Sequence, residues 1–462
     1  MRVRLLLALL AVLGVLGAQA QAHDSAAPSM SVAPAKAPPA RSLASAAGDD
    51  RRYALANGCY SLRSEATGGL VVKDAAGYGA AFGAPGAAEA FRMQATRLGS
   101  YLFYGRDRDF MAAGALGNVA PAAGASPDAD WQVNTAGNAF TIALPSRNKA
   151  LAVTAGRLVL ADPADAGTFA FEPAQGCAVY PEVETSATGT PFTGRTPWGE
   201  VKGMIDLHLH AMAFEFLGGK AHCGRPWSPY GAPYALVDCP DHQAGHGCAA
   251  VLENALYGNP ARCHDPVGWP TFKDWPHHHS LTHEQTYYKW IERAYMGGLR
   301  VMVNLFVENR QLCELYPFKQ NDCDEMASVR LQNKDIEALE DYIDAQNGGP
   351  GRGWFRLVTD PFQARQVIAQ GKLAVIKGIE VSEPFGCRVY NDDPKCDRAR
   401  LDREIAEVQQ MGVRQMELIN KFDNALAGVA GDSGQTGVVV NGGNRVATGK
   451  FWQMQHLSLI HI

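Results

Sequence analysis

Along residues 51–180, short apolar runs alternate with turn residues and no helical period persists. Aromatic-led triplets punctuate the stretch. Phe91-Arg-Met93, Tyr101-Leu-Phe103 and Phe110-Met-Ala112 are answered by Trp131-Gln-Val133, Phe140-Thr-Ile142 and Leu151-Ala-Val153, and Phe169-Ala-Phe171 opens a shortened third copy. The copies lie roughly forty residues apart, a period that suits units of several short strands. The pattern predicts an all-β, β-trefoil-like domain, with a β-sandwich as the alternative. Cys59 and Cys177 bracket it. A trefoil brings its two ends together, so these cysteines are expected to bridge. Aromatic residues at repeat positions read first as core; domains of this kind also take carbohydrate, which is the partner considered for this one.

After a Thr/Pro-rich connector near residues 185–197 the pattern changes. Residues 203–208, 299–307, 373–379 and 413–419 are nearly continuous apolar runs, as expected of strands covered on both faces. Helical signals fall between them. Thr282-His-Glu-Gln285 has the capping-box spacing, Ile336, Leu339, Tyr342 and Ile343 share one helical face, Asp360-Pro361 can open a helix, and Leu401, Ile405, Val408 and Met411 form a stripe. Strand and helix alternate, which predicts a parallel sheet. The expected fold is therefore multidomain: the all-β domain (51–180) followed by an α/β TIM-barrel-type, (β/α)8 metallohydrolase domain over 198–456, present as its first half and apparently truncated. An open doubly wound sheet is the alternative, although no Gly-rich nucleotide loop follows any strand. The insertion 211–281 is too long for a plain connector and reads as a disulfide-pinned lid or rim.

The two ends read differently. Arg2 and Arg4, the apolar run Leu5–Gly17 and the small residues at Ala18, Ala20 and Ala22 make residues 1–22 a secretory signal peptide. Residues 23–50, rich in Ala, Pro and Ser, read as a disordered linker. Residues 457–462 follow no stop signal and read as a sequencing scar, the natural chain continuing beyond. A secreted or periplasmic location follows, with no membrane segment after signal cleavage. Ten cysteines agree with it. Cys313/Cys323 and Cys387/Cys396 look like loop staples, while pairing among Cys223, Cys239, Cys248 and Cys263 stays open. A net charge of −5 leaves no basic surplus for a nucleic-acid partner.

Candidate chemistry concentrates at strand ends. In Asp206-Leu-His208-Leu-His210 the two histidines sit two apart, so both face one side of a strand and can chelate one zinc-like ion. Glu380 ends the third strand and can bridge two ions; such a site activates water near neutral pH. Lys377 reads as buried in its strand, with a carboxylated bridging lysine as the alternative. His277-His-His279 reads as solvated or lid-packing. Glu308 and Asn309 end the second strand. No Gly-x-Ser-x-Gly elbow occurs, so covalent catalysis has little support.

Phe355-Arg-Leu-Val-Thr359, Gly371-Lys-Leu-Ala-Val-Ile-Lys-Gly-Ile-Glu380 and Met411-Gly-Val-Arg-Gln-Met-Glu-Leu-Ile-Asn420 follow one another in an order and spacing that resembles the membrane (renal) dipeptidase family of the amidohydrolase superfamily. The resemblance covers about residues 335–432. It implies zinc, as one or two ions, with His208 and His210 holding one and Glu380 bridging. Two positions depart from the family pattern: His210 stands where Asp is usual, and Asn420 where a histidine near the substrate is usual. Asn420 can still donate a hydrogen bond to a carbonyl. The function expected is an exported metal-dependent hydrolase that cleaves an amide, peptide or related ester bond of a small-molecule or peptide substrate through a metal-bound hydroxide, dipeptidase-like. Alternatives are a glycan- or surface-binding protein with a degenerate barrel, and a metallo-phosphoesterase.

Overall fold

The computed structural model describes residues 50–81, 88–237, 282–431 and 434–453, with short stretches between 247 and 275. The expected signal peptide, nearly all of the linker, the run His277–His279 and the tail 457–462 lie outside these residues. No helix of the described residues is long and apolar enough to cross a membrane.

Twelve antiparallel strands fill the first part: β1 (Cys59–Ser64), β2 (Leu70–Asp74), β3 (Gly77–Ala81), β4 (Phe91–Arg97), β5 (Ser100–Tyr104), β6 (Phe110–Ala113), β7 (Val119–Ala122), β8 (Asp130–Ala136), β9 (Ala139–Leu144), β10 (Lys149–Thr154), β11 (Arg157–Ala161) and β12 (Phe169–Pro173). Their pairing closes on itself. A ring runs β1–β4–β5–β8–β9–β10–β11–β3–β2 and back to β1, and β12 lies between β1 and β9. Three hairpins, β2/β3, β6/β7 and β10/β11, recur around this closed barrel. The aromatic triplets fill it: Phe91, Met93, Tyr101, Phe103, Trp131, Val133, Phe140, Ile142 and Phe169 are buried in one cluster. Trp131 satisfies its indole N–H on the Met111 carbonyl at 2.7 Å, so a wholly buried tryptophan leaves no orphan donor. The Cys59–Cys177 disulfide ties the two ends.

The second part is a five-stranded parallel sheet: β13 (Met204–Leu209), β14 (Leu299–Glu308), β15 (Phe355–Val358), β16 (Leu373–Val381) and, beyond a two-residue pairing of β17 (Val389–Tyr390) with β18 (Asp393–Pro394), β19 (Val413–Glu417). The order is β13-β14-β16-β15, with β19 continuing along β16 where β15 stops. The described α-helices of six residues or more are α1 (Tyr288–Met296), α2 (Arg310–Leu315), α3 (Glu325–Gln346), α4 (Pro361–Ala369), α5 (Arg398–Gln410) and α6 (Gly434–Thr448).

This corrects the expected TIM-barrel fold. Among the described residues the only closed barrel is the antiparallel one, and the parallel sheet is open, with β13 and the β15/β19 side as edges. Strand–helix alternation specifies that the strands run parallel but not which are neighbours: β14 lies beside β16, with β15 beyond it. Closure depends on pairing a first strand with a last, which no local period encodes. On β13, Met204, Ile205 and Leu207 are all more than half exposed, as an uncovered edge requires. The predicted capping box also fails. Thr282 Oγ donates to the Glu253 carboxylate instead, and α1 opens only at Tyr288. Asp360 does cap α4, accepting from the amides of Phe362 and Gln363 at 2.8 and 2.9 Å.

Disulfides pin the loops. Cys313–Cys323, Cys387–Cys396 and Cys248–Cys263 are bonded, Cys223 is also disulfide-bonded, and the described residues contain no free cysteine. The C-terminal end of α3 joins the two parts. Ala345 packs into the barrel core, and the Gln346 carbonyl accepts from Asn57 Nδ2 at 3.0 Å.

Candidate metal centre

In a parallel sheet all carboxyl ends lie on one edge, so residues ending β13, β16 and β19 share a rim. Val307 pairs with Glu380 and Glu380 with Glu417, which sets those side chains level. Leu209 is level with Asn304, and His210 follows it by one residue. The sequence-predicted residues His208, His210 and Glu380 meet here. The Nε2 atoms of the two histidines are 3.1 Å apart, and they lie 3.0 and 3.1 Å from Glu380 Oε2. These three donor atoms form the one His/Cys/Asp/Glu group with metal-ligand spacing among the described residues.

His210 Nδ1 lies 3.0 Å from the Leu305 carbonyl, an acceptor only, so the ring proton belongs there and Nε2 offers a lone pair. Glu380 Oε2 is buried and finds no hydrogen-bond donor of good geometry, although both imidazoles stand at ion-pair distance. His208 Nε2, His210 Nε2 and Glu380 Oε2 thus face one another at about hydrogen-bond distance. One proton can relieve one edge; a divalent cation relieves all three. Bonds of about 2.0–2.1 Å in a tetrahedral site give ligand–ligand edges near 3.3 Å, and the observed edges fall only slightly short. The residues fit such an ion. Burial opposes ionisation of Glu380, but the His210 contact and the charges of His210, His208 and Lys421 outweigh it and hold its pKa below the ordinary carboxylate value. Burial likewise opposes a charged His210, and Glu380, the Leu305 carbonyl and Glu417 together lift its pKa.

Asn420 lies three residues past β19, and its carbonyl accepts from Ser382 Oγ. Lys377 points away, with Nζ 2.8 Å from both Asn333 Oδ1 and Glu337 Oε1 on α3. Glu308 is fully buried and accepts from the amides of Leu217 and Asn309, while Asn309 caps α2. His283 is buried beside Glu253, 3.7 Å away. One rim residue was missed by sequence reasoning: Glu417, whose Oε1 is 3.7 Å from His208 Nδ1. Glu417 lies inside the apolar run 413–419, and only the pairing of β19 with β16 sets it beside Glu380.

No protein-family model matches the chain, and no curated protein matches it. Among solved structures, similarity extends to a GH43 β-1,3-galactosidase (16% identity over 25% of this chain and 27% of that one, TM-score 0.23). It extends also to SeviL bound to asialo-GM1 saccharide (14%, 26% and 98%, TM-score 0.23) and to ThreeFoil, a designed threefold-symmetric protein (14%, 24% and 96%, TM-score 0.21). The chain thus spans about a quarter of the galactosidase. At these TM-scores the likenesses assign neither fold nor activity.

Proposed function

We propose that the sheet domain is a divalent-metal hydrolase, with His208, His210 and Glu380 as the metal donors. The observation that carries this reading is the near-equilateral triangle of His208 Nε2, His210 Nε2 and Glu380 Oε2, each edge 3.0–3.1 Å. A bound divalent ion would supply Lewis acidity, polarising a carbonyl and acidifying water. The chain's own groups do the rest. Leu305 fixes the His210 ring through its carbonyl. Glu380, held ionised, keeps a second carboxylate oxygen able to take up a proton at the site. His208 is more than half exposed and opens the site to small substrates. The resemblance of residues 335–432 to membrane dipeptidases makes an amide bond in a dipeptide the first substrate to try, followed by esters and phosphodiesters.

The test uses the full chain purified without chelator or affinity metal. Elemental analysis is expected to find zinc, manganese or iron near one equivalent. Replacing both His208 and His210 by alanine should abolish metal retention and any hydrolysis that a chelator suppresses. Metal-free protein whose hydrolysis ignores chelator would overturn the reading.

A second reading concerns the barrel. Between the β2/β3 hairpin and the β5–β6 turn, Lys73 Nζ is 2.9 Å from Asp109 Oδ2 and also bonds the exposed Asp107, while buried Glu89 accepts from the Arg106 amide at 3.0 Å. This is a fixed group of donors and acceptors, one end of it open to solvent, of a kind that sugar hydroxyls can replace water on. We infer saccharide binding by the barrel, alongside or instead of hydrolysis. Binding to a glycan panel that survives the double histidine variant and falls with Lys73→Ala places the sugar on the barrel. Loss with the histidine variant and survival of Lys73→Ala excludes that placement.

A further inference from the structure

The two imidazoles of the triad are aimed by different devices. The Leu305 carbonyl, 3.0 Å from His210 Nδ1, fixes which nitrogen of that ring faces Glu380. Among the described residues no backbone acceptor does this for His208. Its Nδ1 faces Glu417 Oε1 at 3.7 Å, while its Nε2 faces Glu380 Oε2 at 3.0 Å. The pairing of β19 with β16 sets Glu417 directly beside Glu380. Two like charges level on neighbouring strands repel one another. Here the His208 ring stands against both, one carboxylate at each nitrogen. Glu417 lies outside the group of donor atoms that fits a single ion, because it approaches the nitrogen on the far side of the ring.

We propose that Glu417 is the positioning residue of His208: its carboxylate accepts the Nδ1 proton, so that Nε2 presents its lone pair to the ion, and it does not bind the ion itself. The separation of 3.7 Å is ion-pair distance, and the partly exposed Glu417 side chain is free to close it. The arrangement is the carboxylate–histidine–metal relay in which an outer acceptor fixes the tautomer and raises the basicity of the ligating ring. This proposal rests on the metal reading above.

The experiment is a Co(II) titration of the full chain followed by visible absorption, with zinc competition, for wild type, Glu417→Ala, Glu417→Gln and, as the lost-ligand control, His208→Ala. Glu417→Ala is expected to bind Co(II) roughly 10–100-fold more weakly, with stoichiometry and band shape kept. Glu417→Gln keeps an oxygen able to accept the Nδ1 proton and is expected to recover most of the affinity. Melting curves of the metal-free variants should match wild type. Three results would overturn the assignment: Glu417→Ala binding within twofold of wild type, a band shape altered as in His208→Ala, or equal weakening by Ala and Gln. Wild type that takes up no Co(II) defeats the metal reading itself, and this proposal with it.

Discussion

Glu308 shows how one buried side chain sets a property of the whole fold. It is fully buried at the end of β14, and one oxygen accepts from the amides of Leu217 and Asn309. Burial, only partly offset by those amides, pushes its pKa up to about 7. Glu325, tied to the amides of Arg310 and Glu383, is pushed by burial to about 8. Both values lie above the unfolded value of about 4.3. Between that value and pH 7–8 the folded state holds more protons, so stability falls as pH rises. We expect a clearly lower melting temperature at pH 8.5 than at pH 5.5, a loss on the order of 2–3 kcal/mol from Glu308. Glu308→Gln, neutral throughout, should flatten part of that slope in thermal melts across pH; an unchanged slope would refute the assignment. At this scale the sequence was legible where chemistry and strand ends coincide. His208, His210 and Glu380 could be placed because a two-residue spacing and a strand terminus are local facts. Glu417 could not, because its place beside Glu380 depends on the pairing of β19 with β16, and Asn420 falls past the end of β19.

Elements were legible where a periodic face and a cap agree. Asp360 with Pro361 marks α4 in the sequence, and the carboxylate bonds two amides there. Asp360→Ala should cost about 1 kcal/mol, read as a fall in the denaturant midpoint with unchanged slope. The barrel strands announced themselves through aromatic triplets because each supplies buried core. The β2/β3 hairpin, built from Leu70–Asp74 and the Gly/Ala-rich Gly77–Ala81, lacks that marker and did not stand out. Thr282 misled, since its hydroxyl is claimed by Glu253 from a distant segment. The α5 stripe is used at three of its four positions: Val408 is buried, Leu401 and Met411 pack against the core, and Ile405 is nearly half exposed. The bridge between Cys59 and Cys177, 118 residues apart, closes the barrel's longest loop. Replacing both by alanine should cost up to about 4–5 kcal/mol on the chain-entropy model, as a lowered melting temperature relative to the oxidised parent.

At the scale of the molecule, the parallel sheet could be read as parallel but not as open. The apolar runs at β14 and β16 report burial, but the equally apolar run at β13 is exposed at Met204, Ile205 and Leu207, and among the described residues β13 pairs only with β14, which three-dimensional contacts alone decide. The joint between the two parts was equally silent in the sequence. Ala345 and Gln346 look like the last turn of an amphipathic helix, yet Ala345 is 3% exposed and belongs to the barrel's core cluster, while Asn57 binds the Gln346 carbonyl. Because α3 also covers β14 and supplies Ile336, Leu339 and Tyr342 to the sheet's core, it couples the two cores directly. Heat should therefore unfold barrel and sheet in one calorimetric transition. Ala345→Asp buries an unpaired carboxylate at the contact, costing several kcal/mol. The cost falls on the docked state alone, so the endotherm should split, with the disulfide-closed barrel melting at the higher temperature. Two separate transitions in the parent, or one unshifted transition in the variant, would show that the helix end merely rests against the barrel.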